Sequence, residues 1–350
     1  MNSSMKCQPS DRNRTTEEIK DEYFKVIFPV VGFSVFAMTV GTLGNCLVLY
    51  IFKFKCKQSN HRYFIKCLAA CDFTGSLIGI PFMIVAMTLT YDYDSVICKI
   101  SRFLNHLFGF CSGFIIMLIA IERYLKICKA KGKQMSYNMA RNVLYASSVL
   151  GILFSLPSAF LYGHNYVQTD IHNVSKRNYH DTSFPLMYHA FLVLWFIVAM
   201  ITVCACYIQI VCTIRAWNAA QNIICQYTRV NNSLASSDVS SISNQPTRTR
   251  TVISNWKSKS AIQAYRLEKM LFIVAASFFC SYIPYLGISL VNIVKTDFMQ
   301  CLSPMDTVVT AVCMKSFLVN YFVNPIVYGF FDRALRAECQ KLFYRIIRRR

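Results

Sequence analysis

Residues 182–214, TSFPLMYHAFLVLWFIVAMITVCACYIQIVCTI, contain no aspartate, glutamate, lysine or arginine. An α-helix needs about 20 mostly apolar residues to cross the hydrocarbon core of a bilayer, and this stretch exceeds that length. Charged residues make up 15% of the whole chain, against about 25% in soluble domains. The stretch therefore predicts a membrane-spanning helix.

Six further apolar stretches accompany it, and one of them contains a single lysine, Lys315. They are residues 26–52, 73–91, 103–121, 142–169, 270–294 and 307–331. We number the seven stretches as spans one to seven in chain order, so that residues 182–214 belong to span five. The pattern predicts an all-α membrane protein built as a seven-transmembrane helix bundle.

The basic residues are sorted into alternate connections between the spans. With the amino terminus outside, the cytoplasmic side carries 26 lysines and arginines and 5 acids, or 26 − 5 = +21. The other side has 11 of each sign, and Asp72 within span two brings the total to +20. An excess of lysine and arginine marks the cytoplasmic side of a membrane protein. We therefore expect a multi-pass plasma-membrane protein embedded in the lipid bilayer, not a nucleic-acid-binding protein.

The chain divides into three predicted parts. Residues 1–24 form a polar extracellular tail without the apolar core of a cleavable signal peptide. Residues 25–330 form the bundle, with a long cytoplasmic loop at about 216–262 that is predicted to be disordered because it is rich in Ser, Asn and Thr. Residues 331–350 form a cytoplasmic amphipathic helix and basic tail. Within that helix Cys339 is either a palmitoylation site or a buried cysteine.

Asp72 is an acidic residue in span two, because the apolar residues 67–71 extend that span on the other side of it. A carboxylate inside the membrane is costly, and is normally functional and paired. Polar side chains on other spans could accompany it, namely Asn45, Ser112, Asn320 and Asn324. Because small hard cations prefer oxygen ligands, we expect a structural sodium ion here, and no other metal or cofactor.

Four motifs occur in order along the spans. They are Gly44-Asn45 in span one, LAACD at 68–72 in span two, ERY at 122–124 at the inner end of span three, and NYFVNPIVY at 320–328 in span seven. Together they resemble the signatures of rhodopsin-like (class A) G-protein-coupled receptors, and the resemblance covers residues 25 to about 345. It implies a receptor that signals through heterotrimeric G proteins, and not an enzyme.

The resemblance also implies how the receptor switches. Arg123, which lies between Glu122 and Tyr124, would be held by the glutamate at rest and turn toward the G protein on activation. Tyr207 and Tyr328 would swing inward to support the arginine.

Further parts of the switch follow from the same resemblance. Phe278 would shift as span six opens, and Pro284 and Pro325 would kink spans six and seven. The sodium pocket would collapse on activation. Arrestin and receptor kinases are further partners implied by the family.

Three positions depart from the family's pattern. The tryptophan expected two residues before Pro284 is Tyr282, and span five has no proline beyond Pro185 at its outer end. The position near the start of span six where some members carry an acid that pairs with the arginine is Ala264, and Glu268 lies one turn further in. Without that ion pair, we expect a raised basal activity.

The outer cysteines depart as well. Cys98 matches the family's outer cysteine of span three, but the loop at 163–185 contains no partner. The other two cysteines on this side are Cys7 and Cys301, and three thiols in an oxidising compartment allow one bond. Cys98 could pair with either, or Cys7 with Cys301. Acceptor patterns for N-glycosylation begin at Asn2, Asn13 and Asn173.

The residues in the outer halves of the spans exclude some ligand classes but do not identify the ligand. The family's amine receptors carry an aspartate where this chain has Asn105, and visual pigments bind retinal through a lysine where it has Leu318. The polar tail, the long outer loop and outer aromatic residues such as Tyr285 favour a peptide ligand. A lipid or other small anionic ligand is the alternative, because Arg102 and Lys315 are cations in the outer halves of spans. Helical spacing would also allow Lys315 to pack against span one, and Arg102, near the end of its helix, could extend to the membrane interface instead of a ligand.

Two other classes of function remain as alternatives. A transporter or channel would need a continuous polar path, whereas the polar side chains cluster around Asp72. A non-signalling decoy receptor would not need the intact ERY motif, although the changes at Tyr282 and Ala264 are compatible with one.

Overall fold

The computed structural model describes residues 16–55, 59–88, 95–132, 134–161, 165–168, 173–176, 183–235, 247–295 and 302–348. Six helices in these ranges are long and apolar enough to cross a membrane, and a bent helix pair supplies a seventh. The uninterrupted spans are the helices Thr16–Phe54 (span one), Ser95–Cys128 (three), Tyr137–Leu161 (four), Phe184–Ala235 (five) and Thr247–Val294 (six). The seven-helix prediction is confirmed.

Span two contains a π-helical turn close to Asp72. It runs through the helix Asn60–Thr74, the π-helical segment Gly75–Gly79 and the helix Ile80–Thr88. The wide turn is compatible with a close approach of span seven, because a Cβ at Gly75 would overlap the ring of Tyr321. Such π-bulges often occur at functional sites, and here the turn directly follows the buried carboxylate.

Span seven is broken near its middle. It consists of the helix Pro304–Cys313, the 3₁₀ turn Ser316–Leu318 and the helix Val319–Phe331, and the two parts are bent by 44°. The break lies at Met314 and Lys315, whereas the helices of spans six and seven run through Pro284 and Pro325. The side chain of Ser316 donates to the carbonyl of Ser281 at 2.5 Å, which ties the break to span six.

The connections differ from the predicted ones in two places. Two antiparallel strands, β1 (Asn165–Gln168) and β2 (Asn173–Lys176), form a hairpin between spans four and five, with Asn165 opposite Lys176. Residues 216–235 and 247–262 continue the helices of spans five and six, so the predicted disordered loop is helical over both flanks. No proline or glycine interrupts either flank, and both residues are unfavourable within a helix. Residues 236–246 lie outside the described part.

The bundle has two ends, which we call the hairpin face, next to β1 and β2, and the tail face, next to the final helix Arg333–Ile347. The largest hydrophobic cluster includes residues near the tail face and Leu335 of the final helix, which is 2% exposed. Burying one leucine stabilises by roughly 1.5–3 kcal/mol. Partly buried Cys339 and Leu342 pack against the same cluster, so the final helix lies against the bundle.

Candidate functional site

Arg123 lies on span three toward the tail face and is almost completely buried. Its Nε and Nη2 donate to the two carboxylate oxygens of Glu122 at 2.6 and 2.9 Å, and its Nη1 lies 3.4 Å from Oε1 of Glu268 on span six. All three side chains are 3–5% exposed. A two-pronged contact between arginine and carboxylate is strong and fixes the geometry of the guanidinium. The predicted contact of Arg123 with Glu122 is therefore present.

The ion pair with Glu268 corrects one prediction. The sequence places no acid at the family's usual position, Ala264, and a raised basal activity was expected for that reason. The structure brings Glu268, one turn further along span six, within ion-pair distance of Arg123. An arginine side chain is long and flexible enough to pair with an acid one turn further along, so the lock between spans three and six is present. The premise of the expected raised basal activity, a missing ion pair between these spans, is therefore wrong.

The aromatic members of the predicted switch surround this ion pair or lie deeper in the bundle. Tyr207, Tyr328 and Phe278 belong to the hydrophobic cluster that extends from the tail face, and Tyr124 packs against it partly buried. The Tyr328 hydroxyl is buried and has no hydrogen-bond partner among the described residues. The Phe278 ring lies 4.7 Å from the ring of Tyr282, so the two aromatics form a column within span six.

Asp72 is fully buried and is contacted from two other spans. Ser112 of span three donates to its Oδ1 at 3.2 Å, and Asn324 of span seven donates to its Oδ2 at 2.7 Å. Asn45 of span one donates to the carbonyls of Gly41 and Tyr321, at 2.9 and 2.7 Å. Side chains of spans three and seven thus contact Asp72 directly, while Asn45 joins span one to the backbone of span seven.

Three amide oxygens of the residues predicted for the sodium pocket have the chemistry that a hard cation requires. The Oδ1 atoms of Asn45, Asn320 and Asn324 are buried and have no hydrogen-bond donor in the described part of the chain. A buried polar atom without a partner is unfavourable unless a water or an ion contacts it. A carboxylate with nearby amide and hydroxyl oxygens suits sodium, so the residues fit the expected ion.

A cavity of about 990 Å³, including its mouth, lies in the half of the bundle toward the hairpin face. All four predicted ligand-pocket residues line it, namely Arg102, Asn105, Tyr285 and Lys315, and so do Cys98 and Tyr282. Lys315 faces this cavity because span seven is broken at that residue, which removes the continuous helical spacing that the packing against span one assumed.

Two residues of the cavity were not singled out from the sequence. His106 is held between its own helix and span six, since Nδ1 lies 2.8 Å from the Arg102 carbonyl and Nε2 lies 3.4 Å from the Tyr285 hydroxyl. Trp195 of span five packs edge-on against Phe110, at 4.9 Å between ring centroids. The replacement of the span-six tryptophan by Tyr282 could have signalled that another span supplies the large aromatic.

The indole of Trp195 lies against span three at Gly113. A Cβ at Gly113 would overlap the indole of Trp195 and would lie 3.1 Å from the Phe278 ring. The glycine therefore lets a cavity-lining aromatic and the buried aromatic of span six meet at one point. Gly113 thus lies beside both the cavity-lining Trp195 and the column of Phe278 and Tyr282.

The structure describes only some of the residues that were predicted to form a disulfide or to carry glycans. The thiol of Cys98 lies 3.9 Å from the Ala86 carbonyl. Asn173 begins β2. The other members of both sets, Cys7, Cys301, Asn2 and Asn13, lie outside the described residues.

Cys339 is half-buried at the contact between the final helix and the bundle, and this burial raises the pKa of its thiol. A raised pKa makes a thiol less nucleophilic at neutral pH. Palmitoylation of Cys339 therefore stays a prediction.

The chain matches the family model described as "7 transmembrane receptor (rhodopsin family)" over residues 44–328. The fold is similar to that of squid rhodopsin, with a TM-score of 0.67, 20% identity, and coverage of 96% of this chain and 88% of that one. Probable G-protein coupled receptor 19 of Rattus norvegicus is 29% identical over 125 residues, 35% of this chain and 30% of the relative. The mesotocin receptor of Rhinella marina is 22% identical over 347 residues, 98% of this chain and 84% of the relative.

The seven spans, the Arg123 cluster and the Asp72 centre define a seven-transmembrane receptor fold. The family match extends over most of the chain, so the chain belongs to the rhodopsin family of seven-transmembrane receptors. It is a multi-pass plasma-membrane protein of a family of receptors, not enzymes. The alignment with Probable G-protein coupled receptor 19 spans less than a third of that protein's length.

Proposed function

We propose that this protein is a G-protein-coupled receptor that binds an extracellular ligand and activates heterotrimeric G proteins by outward movement of span six. The observation that carries the proposal is the buried guanidinium of Arg123, which spans three and six hold together through Glu122 and Glu268. An ion pair between two helices supplies a two-state contact, as a switch requires.

The two contacts of Arg123 differ in a way that suits such a switch. The Glu122 contact is two-pronged and lies within one helix, while the Glu268 contact is single and longer, at 3.4 Å. The contact between spans is therefore the weaker one. When span six moves outward, Arg123 loses Glu268, keeps or loosens its hold on Glu122, and becomes accessible to the carboxy-terminal helix of a G protein.

The orientation belongs to the same proposal. The amino terminus lies outside and the tail face lies in the cytoplasm, since the net charge of +21 collects on the side of Arg123 and the final helix. Lysine and arginine next to spans are retained on the cytoplasmic side. Arrestin and receptor kinases would meet the receptor on that side.

The cavity toward the hairpin face is the site where the extracellular ligand binds. A peptide is the first ligand class, because the cavity lies at the end that carries the polar hairpin. A lipid or another small anionic ligand is the second class, supported by the two cations Arg102 and Lys315 in the lining.

Sodium is part of the resting state in this proposal. Asp72, Ser112, Asn320 and Asn324 would hold the ion, and Asn45 would position the backbone of span seven beside it. The ion would supply a positive charge that stabilises the buried carboxylate.

Replacement of Arg123 tests the function. Cells that express either the wild-type receptor or Arg123→Ala are assayed with a panel of chimeric G proteins, for basal signalling and for the response to neuropeptide extracts. We expect the variant to lose both signals at equal surface expression. Arg141→Ala is the matched control, since Arg141 is exposed at the start of span four.

Three results would contradict the proposal. One is a wild-type signal that Arg123→Ala leaves unchanged. Another is an ion current or a solute uptake that persists without any G protein, which would indicate a transporter or channel. The third is a receptor that binds a ligand at the surface and signals through none of the G proteins, which would indicate a decoy.

A further inference from the structure

Two histidines hold the same turn of span six from two neighbouring spans. His189 of span five is buried, and its Nε2 lies 3.1 Å from the Leu286 carbonyl while its Nδ1 lies 3.4 Å from the Ser289 hydroxyl. His106 of span three has its Nε2 at 3.4 Å from the Tyr285 hydroxyl. Spans three and five are therefore both attached to span six between Tyr285 and Ser289.

The hydrogen-bond partners suit neutral rings. A carbonyl oxygen only accepts, so the nitrogen that faces it carries the proton. This nitrogen is Nε2 in His189, and it is Nδ1 in His106, which lies 2.8 Å from the Arg102 carbonyl. The other nitrogen of each ring then accepts from a hydroxyl, that of Ser289 or Tyr285. Both rings are satisfied without a second proton.

Among the described residues, no carboxylate acts electrostatically on either ring. The outer parts of spans two and four, residues 80–88 and 152–161, contain no titratable side chain. The titratable groups near the rings or in the same cavity wall on the other spans are Cys98, Arg102, Tyr188, Tyr285 and Lys315. Two imidazolium rings here would repel each other and Arg102, and a buried charge without a counter-ion is costly.

The turn that the histidines hold lies directly after Pro284. A proline leaves one carbonyl of the preceding turn without its helical hydrogen bond, so a helix bends most easily there. Before the proline, the Ser281 carbonyl accepts from Ser316 of span seven at 2.5 Å. Span seven therefore holds span six before the bend, and the histidines hold it after the bend. Tyr285 and Leu286 of the held turn also line the cavity.

We propose that His106 and His189 form a proton-binding site through which extracellular acid releases the outer segment of span six, residues 285–294, and opens the cavity wall. In the released state water reaches both rings, so each takes up a proton at about pH 6.5, as an unperturbed histidine does. Acid therefore favours the released state over the held one. The inference rests on the proposed orientation of the receptor, in which the hairpin face is extracellular.

The expected size of the effect follows from proton linkage. For one ring that titrates only in the released state, the ratio of released to held receptor rises about tenfold between about pH 7.5 and about pH 5.5. Two such rings give a rise of about a hundredfold. The pH dependence therefore reports how many of the two histidines respond.

The test measures the separation between the outer ends of spans five and six. Nitroxide labels are attached through p-acetylphenylalanine at Met187 and Val294, which are exposed on these two spans, so that the 16 cysteines of the chain stay untouched. The full chain is placed in lipid nanodiscs. Distances between the labels are recorded by double electron–electron resonance at about pH 7.5, 6.5 and 5.5.

We expect a longer distance to appear in acid, with a ratio of long to short that rises at least tenfold from the highest to the lowest pH. His106→Gln and His189→Gln should each reduce the rise about tenfold, because glutamine keeps a neutral donor and acceptor but takes up no proton. The double variant should not respond. His61→Gln is the matched control, since His61 lies on span two close to Arg123 at the tail face.

A distance that stays the same at every pH in the wild type would overturn the inference, and so would a response that the double variant retains. The melting temperature at the highest pH shows whether each variant is folded, and the two single variants test the histidines separately. The measurement contains no G protein, so its outcome is independent of the Arg123→Ala signalling test.

Discussion

Arg123 on span three and Glu268 on span six lie 3.4 Å apart, and both side chains are buried near the tail face of the bundle. The guanidinium lies between two carboxylates, one on its own helix and one on the neighbour. This arrangement places one ion pair across the contact between spans three and six. Under the proposed function, the strength of that pair sets how active the receptor is without a ligand.

Replacing Glu268 by glutamine should raise basal signalling. The substitution preserves the shape of the side chain and removes the charge, and a hydrogen bond to a charged group contributes about 1.5–3 kcal/mol. We expect a several-fold increase in ligand-independent signalling per receptor at the cell surface. Glu338→Gln serves as the control, because Glu338 is paired with Lys341 in the final helix, away from the interhelical contact. Unchanged basal signalling in Glu268→Gln would mean that the pair does not restrain span six.

Asp72→Asn should abolish stabilisation by sodium. The carboxylate is the one full negative charge among the residues of the centre, and an ion that binds only the folded state raises the unfolding temperature. For the wild type, the melting temperature in sodium chloride should exceed that in N-methylglucamine chloride by a few degrees. The variant should show no difference, whereas Asp306→Asn, at an exposed position, should behave as the wild type. A sodium effect that persists in Asp72→Asn would place the ion elsewhere.

Gly113→Ala should destabilise the receptor, and a smaller residue at position 195 should compensate. A Cβ at Gly113 would overlap the Trp195 indole, and overpacking a core costs about 1–3 kcal/mol. We expect a lower melting temperature and lower surface expression, both recovered in Gly113→Ala/Trp195→Phe. The control is Gly287→Ala, since a Cβ there has no neighbour within 4 Å. The packing account is wrong if the double variant is no more stable than Gly113→Ala.

Cys339→Ser should remove the incorporation of alkynyl palmitate into the receptor. Cys339 is only partly buried, and a small movement of the final helix would expose its thiol to the lipid surface. Labelling is measured by gel fluorescence, with Cys212→Ser as the control, because Cys212 is exposed on span five. Label that remains in Cys339→Ser would show that acylation occurs at another cysteine, and that Cys339 is a packing residue.

The sequence alone determined the architecture and the identity of the polar centres. Long uncharged stretches form α-helices in a bilayer, because a helix satisfies every backbone hydrogen bond within itself. The family motifs then indicated Asp72, Asn324 and Arg123 as functional residues. In the structure, the amide of Asn324 donates to the carboxylate of Asp72 at 2.7 Å. The hairpin between spans four and five was not predicted, since four-residue strands in a polar loop carry little pattern.

The tertiary structure decided the contacts between spans. The ion pair of Arg123 with Glu268 depends on the relative rotation and height of two helices, and no rule of spacing within one helix contains that information. The position of Lys315 depends on a break in span seven that lies well before Pro325, so the helical spacing used to place it did not apply. The contact of Trp195 with Gly113 is likewise set by how closely two helices approach. Sequence patterns specify which face of each helix is apolar, while packing in three dimensions specifies which side chains meet.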